Sequence, residues 1–213
     1  MLLRFNIIIF LFCFSFGSIS FDFSLGNAYN FNQDLHIKMK SGDNINFTAH
    51  PKTNGFKNPL YYSLRIRNQF KSFDIEIELV HHKIYIDNLP GNIQKFEVSD
   101  GYNLLFLNYR KKINDHFGYR AGLGAVVLHP DIMINGKTNF VRGGGAIPKF
   151  WSDGYHWSGL SCQGSIFIER KISNKLSYNI EIKSTYSRAY VPVVGGDLDL
   201  PNKSLHLLFG LGF

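Results

Sequence analysis

The chain ends with Ser204-Leu205-His206-Leu207-Leu208-Phe209-Gly210-Leu211-Gly212-Phe213, a stretch in which large apolar residues take every second position. Successive side chains of a β-strand point to opposite faces. One face of the predicted strand therefore carries Leu205, Leu207, Phe209, Leu211 and Phe213. The other face carries Ser204, His206, Gly210 and Gly212, and Leu208 is the exception. One apolar face opposite a polar or small one indicates a strand between lipid and a filled interior.

A final strand of this kind, ending in an aromatic residue, resembles the closing strand of bacterial outer-membrane barrels. The start of the chain agrees, because Arg4 precedes an apolar run at residues 7–16 and a small-x-small ending at Ser18-Ile19-Ser20. That combination predicts a secretion signal cleaved after Ser20. The run is shorter than the roughly 20 residues that a transmembrane helix needs. We therefore expect a signal peptide at residues 1–20 and an outer-membrane barrel at residues 21–213.

Period-2 segments between turn signals number eight, which predicts an all-β fold, an eight-stranded antiparallel transmembrane β-barrel of the outer-membrane type. Their connections alternate between short and long, as expected for periplasmic turns and outer loops. A soluble, lipocalin-like barrel would explain the strands but not the terminal Phe213. The predicted strands are 21–31, 58–70, 73–87, 95–111, 117–130, 156–171, 176–190 and 203–213, and the long connections are 32–57, 88–94, 131–155 and 191–202.

The charge balance indicates which kinds of partner the protein can bind. The chain has 23 Lys and Arg against 16 Asp and Glu, and without Arg4 the excess is 22 over 16. A basic surface favours anionic partners, and export excludes nucleic acid among them. The expected partners are the outer membrane and the phosphates of lipid A or lipopolysaccharide, with the protein acting as a monomer. Cys162 alone remains after cleavage, so no intramolecular disulfide is expected.

Charged residues inside the predicted strands fall on the inward face. Because an eight-stranded barrel is just wide enough for side chains to fill it, we predict an internal ion-pair network. Such a lumen leaves no wide water path and argues against a porin. The network would join Arg65 and Arg67 to Glu76 and Glu78, with Glu181 and Lys183 nearby.

Other titratable residues cluster at strand ends beside the long loops. His82 and Asp100 would pair across a hairpin, and His129 enters the next long loop. Two imidazoles and a carboxylate can bind a divalent metal ion. The alternative is that these side chains only meet water and lipopolysaccharide headgroups.

A second pattern is typical of lipid A deacylases, which use a Ser, a His and a carboxylate facing the bilayer. His156 and Ser158 are two residues apart and are predicted to share the lipid-facing side of their strand. Glu169 has the opposite parity and should point into the lumen. A triad needs its three groups within hydrogen-bond reach, so this hydrolase reading lacks its acid.

The middle of the chain resembles the rhizobial lipid A oxidase family of outer-membrane barrels. The matching segments are Tyr61-Tyr62-Ser63-Leu64-Arg65, Glu76-Ile77-Glu78-Leu79-Val80-His81-His82-Lys83-Ile84-Tyr85, Phe96-Glu97-Val98-Ser99-Asp100-Gly101-Tyr102-Asn103-Leu104-Leu105 and Gly122-Leu123-Gly124-Ala125-Val126-Val127-Leu128-His129-Pro130. The resemblance implies an enzyme that oxidises the proximal glucosamine of lipid A to an aminogluconate unit, with molecular oxygen and a divalent metal ion.

Strand position and residue type then give a hypothesis for the site. His82, Asp100 and His129 would be metal ligands, Glu78 or Glu97 would be the acidic group beside them, and Asn103 would orient substrate. Glu78 has an alternative place in the ion-pair network. A structural or adhesive barrel without enzymatic activity remains the competing function.

Overall fold

The computed structural model describes residues 18–138 and 154–213, which form thirteen β-strands. Within these residues, no helix is long and apolar enough to span a membrane. The predicted signal peptide lies almost wholly outside the described residues, apart from Ser18–Ser20 at the start of the first strand. The strands are β1 (Ser18–Asn30), β2 (Gln33–Met39), β3 (Ile45–Ala49), β4 (Pro51–Lys52), β5 (Tyr62–Gln69), β6 (Asp74–Ile86), β7 (Ile93–Lys112), β8 (Phe117–Leu128), β9 (Asp131–Ile134), β10 (Lys137–Thr138), β11 (His156–Lys171), β12 (Ser177–Val193) and β13 (Gly196–Gly212).

Eight of these strands close into a ring. In spatial order they are β1, β5, β6, β7, β8, β11, β12 and β13, each antiparallel to its neighbours, and β13 pairs with β1 to complete the barrel. At the seam, the backbones of Phe21 and Phe213 exchange two hydrogen bonds of 3.1 and 2.8 Å. The predicted all-β eight-stranded fold and its short turns are therefore confirmed.

Alternation along each strand separates a lipid-facing band from a polar lumen. Leu207 and Phe209 are exposed, while His206 is buried on the inner face. Leu208, the exception in the sequence pattern, is fully buried, because its position in the alternation is an inward one. Aromatic side chains flank the band, as in outer-membrane barrels. They include Phe21, Phe73, Tyr109, Phe117, Tyr119, Tyr178 and Phe213 near the short turns, and Tyr29, Phe31, Trp157, Tyr186 and Tyr190 near the outer end.

The outer segments predicted as loops contain strands. β2 pairs with the outer part of β13 and with β3, β9 pairs with the outer part of β7, and β4 fills the space between β1 and β6. The expectation of a long loop at residues 191–202 is wrong. β12 and β13 continue through that range to a two-residue turn, in which Gly195 has a φ of 72°.

These outer strands bury apolar side chains on one face. The two groups of strands, β12-β13-β2-β3 and β6-β7-β9, share one contiguous apolar core. We call this region the outer sandwich. Fully buried members include Leu35, Ile37, Ile84, Phe96, Val98, Val191, Leu198 and Leu200. Because this core sits above the lumen, it seals the outer end of the barrel.

Candidate functional site

The lower lumen is filled by ion pairs. Arg65 contacts Glu78 at 2.7 Å and Glu181 at 2.6 Å, and Lys183 also contacts Glu78. All four side chains are at most 1% exposed. Glu78 further accepts hydrogen bonds from the Asn108 and Gln163 amides at 3.0 and 2.7 Å. The predicted network is present, and Glu78 belongs to it rather than to a site at the outer end.

The partners of Arg67 differ from the expected ones. Its guanidinium contacts Asp22 and Glu169, whereas Glu76 pairs with Arg120 at 2.7 Å. The inward position of these side chains follows from strand parity. Their pairing follows from the stagger between strands, which brings together residues far apart in sequence.

A polar layer lies above the ion pairs. His82 is fully buried there, with Nε2 3.0 Å from Oδ1 of Asn30. His206 hydrogen-bonds Tyr61 through Nδ1 and Thr185 through Nε2, both at 2.8 Å. His82 is therefore part of a lumen network and faces away from the lipid.

A β-bulge marks the outer part of the β6–β7 pair. His82 pairs with Tyr102 and Ile84 pairs with Val98, so Lys83 alone opposes the three residues Ser99–Gly101. The expected pairing of His82 with Asp100 is thus wrong, because the two extra residues on β7 shift the register. Gly101 has a φ of 135°, and a Cβ there would lie 2.2 Å from Nδ2 of Asn103. Bulges of this kind re-aim side chains and often occur beside active sites.

The bulge directs Asp100 toward His129. Oδ2 of Asp100 lies 3.5 Å from Nδ1 of His129, and the His129 backbone amide donates to the Gly101 carbonyl at 3.1 Å. The Tyr155 ring stacks on the His129 ring with centroids 4.6 Å apart, and its hydroxyl donates to the Asp100 carbonyl at 3.2 Å. The Asp100 side chain is 43% exposed whereas that of His129 is 1% exposed, so the carboxylate is the accessible group of the pair.

Two further groups flank this pair. His81 Nδ1 lies 2.9 Å from Oδ1 of Asn103, and the Tyr62 ring stacks on His81 at 5.0 Å. On the other side, Lys95 pairs with Asp131 and lies 3.7 Å from Glu97. We call Asp100, Asn103, His129, His81 and Tyr155 the rim cluster.

Lys83 holds the loop at residues 54–59. Its buried ammonium donates to the carbonyl oxygens of Asn54, Lys57 and Pro59 at 2.9, 2.6 and 2.6 Å. The same loop ends in Tyr61, whose side chain enters the lumen. Sequence reasoning missed the roles of Lys83 and Tyr61, since a lone Lys and a Tyr carry no signal for burial.

The three expected metal ligands do not come together. Asp100 and His129 adjoin each other, but His82 is bound within the lumen. Among residues 18–138 and 154–213, no group of three His, Cys, Asp or Glu side chains is placed to hold a metal ion. The described donors therefore do not fit a three-ligand metal centre, and the metal stays a prediction from the resemblance.

The hydrolase pattern also fails to assemble. The β8–β11 register shifts between Trp157 and Gly159, so Ser158 is buried and its hydroxyl donates to the His156 carbonyl at 2.9 Å. The prediction that His156 and Ser158 share a lipid-facing side missed this irregularity. Glu169 lies near the opposite end of the barrel and contacts Arg67, Arg110 and Lys112.

No family model and no curated protein matches the chain. Solved structures with a similar fold are outer-membrane proteins. AlkL, determined by solid-state NMR in lipid bilayers, has a TM-score of 0.52 at 12% identity, covering 92% of this chain and 89% of that one. Ail of Yersinia pestis has a TM-score of 0.43 at 12% identity, covering 91% and 98%. OprG from Pseudomonas aeruginosa has a TM-score of 0.44 at 12% identity, covering 92% and 97%.

The closed ring, its lipid-facing apolar band and its filled lumen agree with that likeness in fold. The protein is an eight-stranded β-barrel of the bacterial outer membrane.

Proposed function

We propose that the protein is a lipid A-modifying enzyme whose site is the rim cluster. The observation that carries this proposal is the Ser99–Gly101 bulge, which sets Asp100 beside His129 at the outer edge of the apolar band, with Asn103 two residues beyond the bulge on β7. The sugars of lipid A lie at this height in the outer leaflet. The bulge also contains Asp100-Gly101, from the most specific part of the resemblance to the lipid A oxidases.

The rim cluster offers an exposed carboxylate backed by a buried imidazole. Asp100 can accept a proton from a sugar hydroxyl, and His129 beside it can stabilise or share that proton. Asn103, oriented by His81, offers amide donors to sugar oxygens. Neither role needs His82 or Glu78, whose side chains are bonded inside the lumen.

The reaction implied by the resemblance is oxidation of the proximal glucosamine at C1. Converting a C1 hemiacetal into a carboxylic acid consumes one water molecule and removes two electrons and two protons. Molecular oxygen accepts both and becomes hydrogen peroxide, and the water supplies the added oxygen atom, so the product is one oxygen atom heavier. The metal ion that the resemblance also implies lacks a complete ligand set among the described residues. The proposal therefore rests on substrate placement and proton transfer.

Mass spectrometry tests the proposal. Purified protein in detergent is incubated in air with lipid A and, in turn, with each common divalent ion. We expect a product one oxygen atom heavier from the wild type, and none from Asp100→Asn. Asp34→Asn is the matched control, because Asp34 is an exposed carboxylate on β2 that accepts a hydrogen bond from Thr48. An unchanged rate in Asp100→Asn would refute the rim site.

One observation favours a second function, a non-enzymatic surface barrel. β2 in the outer sandwich presents Asp34, His36 and Lys38 outward from an ordered sheet. An exposed polar sheet is a suitable surface for an envelope or host partner. Two results together would favour this function over the enzyme. Lipid A would show no mass change with any ion, and cells carrying the protein would adhere to a host or envelope surface less strongly after His36→Ser and Lys38→Ser.

A further inference from the structure

Charged side chains outside the lumen are unevenly distributed between the two ends of the barrel. The end with the short turns carries the exposed cations Lys71, Lys111, Lys112, Arg170, Lys171 and Lys175. Among the described residues, Asp115 is the exposed acidic side chain at that end. At the outer end, the described residues include nine cationic side chains and eight acidic ones, so the two charges nearly cancel. Among the described residues outside the lumen, the basic excess therefore lies at the end of the barrel with the short turns.

A cavity of about 830 Å³ opens at the same end. Its floor is electrically balanced, because the three cations there, Arg67, Arg110 and Lys112, contact three carboxylates, those of Asp22, Asp74 and Glu169. Glu169 alone contacts Arg67 at 3.2 Å, Arg110 at 2.8 Å and Lys112 at 2.6 Å. The floor therefore has little charge left with which to attract an anion.

The unbalanced charge lies at the cavity entrance. Lys71 follows β5, whereas Lys171 and Lys175 flank the turn between β11 and β12, and all three line the cavity. None of them forms an ion pair with another described residue. Three free ammonium groups around one opening attract a phosphate or a carboxylate.

The cavity lining also has an apolar side next to the membrane. Phe70, Phe73 and Phe213 line it, and Phe70 stacks on Phe73 with centroids 5.1 Å apart. Phe73 in turn stacks on Tyr109 at 5.6 Å, which joins the cavity edge to the aromatic belt of the barrel. The site thus combines cations and aromatic rings at the boundary between lipid and water.

We propose that the periplasmic mouth of the barrel binds the headgroup of an anionic phospholipid of the inner leaflet. Lys71, Lys171 and Lys175 contact its phosphate, and the acyl chains leave across Phe73 and Phe213. A headgroup fits better than a free soluble anion because the aromatic side of the cavity is continuous with the lipid-facing surface. Ile19 and Ser20 also line the cavity and would be removed with a signal peptide cleaved after Ser20, whereas the three lysines and the three phenylalanines would remain.

The test measures retained lipid. Wild type and Lys71→Gln/Lys171→Gln/Lys175→Gln are reconstituted in nanodiscs with equal phosphatidylglycerol and phosphatidylcholine, extracted into mild detergent, and assayed for bound lipid by native mass spectrometry. We expect wild type to retain phosphatidylglycerol preferentially. The triple variant should retain less phosphatidylglycerol than wild type, by a factor on the order of ten. Each basic residue near an anionic surface contributes to binding, but salt screens part of the effect.

Lys38→Gln/Lys40→Gln/Lys137→Gln is the matched control, since it removes three exposed lysines from the outer end. It should retain phosphatidylglycerol like wild type, and a heat-dependent gel shift checks that both variants fold. Equal retention of the two lipids by wild type, or equal phosphatidylglycerol retention by wild type and the triple variant, would overturn the proposal. Displacement of phosphatidylglycerol by a soluble muropeptide would assign the mouth to peptidoglycan and also overturn it.

Discussion

Replacing Lys183 by Met tests how the buried ion pairs stabilise the barrel. Lys183 is fully buried, contacts Glu78, and lies 3.7 Å from Glu181. At an effective dielectric constant of about 20, unit charges at that separation interact by roughly 4 to 5 kcal/mol. Removing the ammonium leaves two buried carboxylates with Arg65 and Arg120 as their cations. Breaking one partner out of a buried pair typically costs about 3 to 5 kcal/mol, and we expect a loss of that size.

The assay is urea unfolding in lipid vesicles, followed by tryptophan fluorescence. The double variant Glu78→Gln/Lys183→Met removes one charge of each sign and should recover a large part of the loss, because neutralising both partners leaves no excess charge. A Lys183→Met barrel as stable as wild type would refute the reasoning. A double variant less stable than the two single losses combined would refute it as well.

Three other outcomes follow from the described contacts. Gly101→Ala should abolish lipid A oxidation in the mass assay while the barrel still shifts on a gel, because a Cβ at this φ collides with Asn103 and displaces Asp100. Leu198→Ala should weaken the outer sandwich by about 2 to 5 kcal/mol, since Leu198 is fully buried, and intact cells should then show faster cleavage by added protease. In planar bilayers the wild type should form no steady channel at neutral pH, and a stable open conductance would contradict a lumen closed by ion pairs and an apolar seal.

The barrel wall was predictable from the sequence because one simple rule governs it. Side chains alternate along each strand, so the inward positions of Arg65, Glu78 and Glu181 follow from parity alone. β2 had a similar signal in the alternation of Leu35 and Ile37 with His36 and Lys38, but its place inside a long connection hid it. Parity also explains why Leu208 is buried, because it occupies an inward position even though it is apolar.

The rim cluster was predictable only in part. Residue type and strand ends identified Asp100, His129 and Asn103; the structure sets Asp100 beside His129 and pairs Asn103 with His81. The two extra residues of the bulge could not be read from a period-2 pattern, so His82 was paired with the wrong residue. Asp100 is close to His129 because one backbone hydrogen bond joins the His129 amide to the Gly101 carbonyl, and no side-chain pattern encodes such a bond.

β7 runs for 20 residues, and β12 and β13 for 17 each, so these three strands extend from the short turns into the outer sandwich, β7 with a bulge at Ser99–Gly101. At ~3.3 Å per residue, a strand of this many residues reaches at most about 66 Å, roughly twice the hydrocarbon thickness of a bilayer. An epitope inserted into β2 or β9 for surface display would split a strand paired to one of these long ones. The tip at Val194–Gly195 joins β12 to β13, and the Gly195 carbonyl accepts one hydrogen bond from the Lys40 amide at 2.8 Å. A foreign peptide displayed there would split no strand and would therefore disturb the wall least.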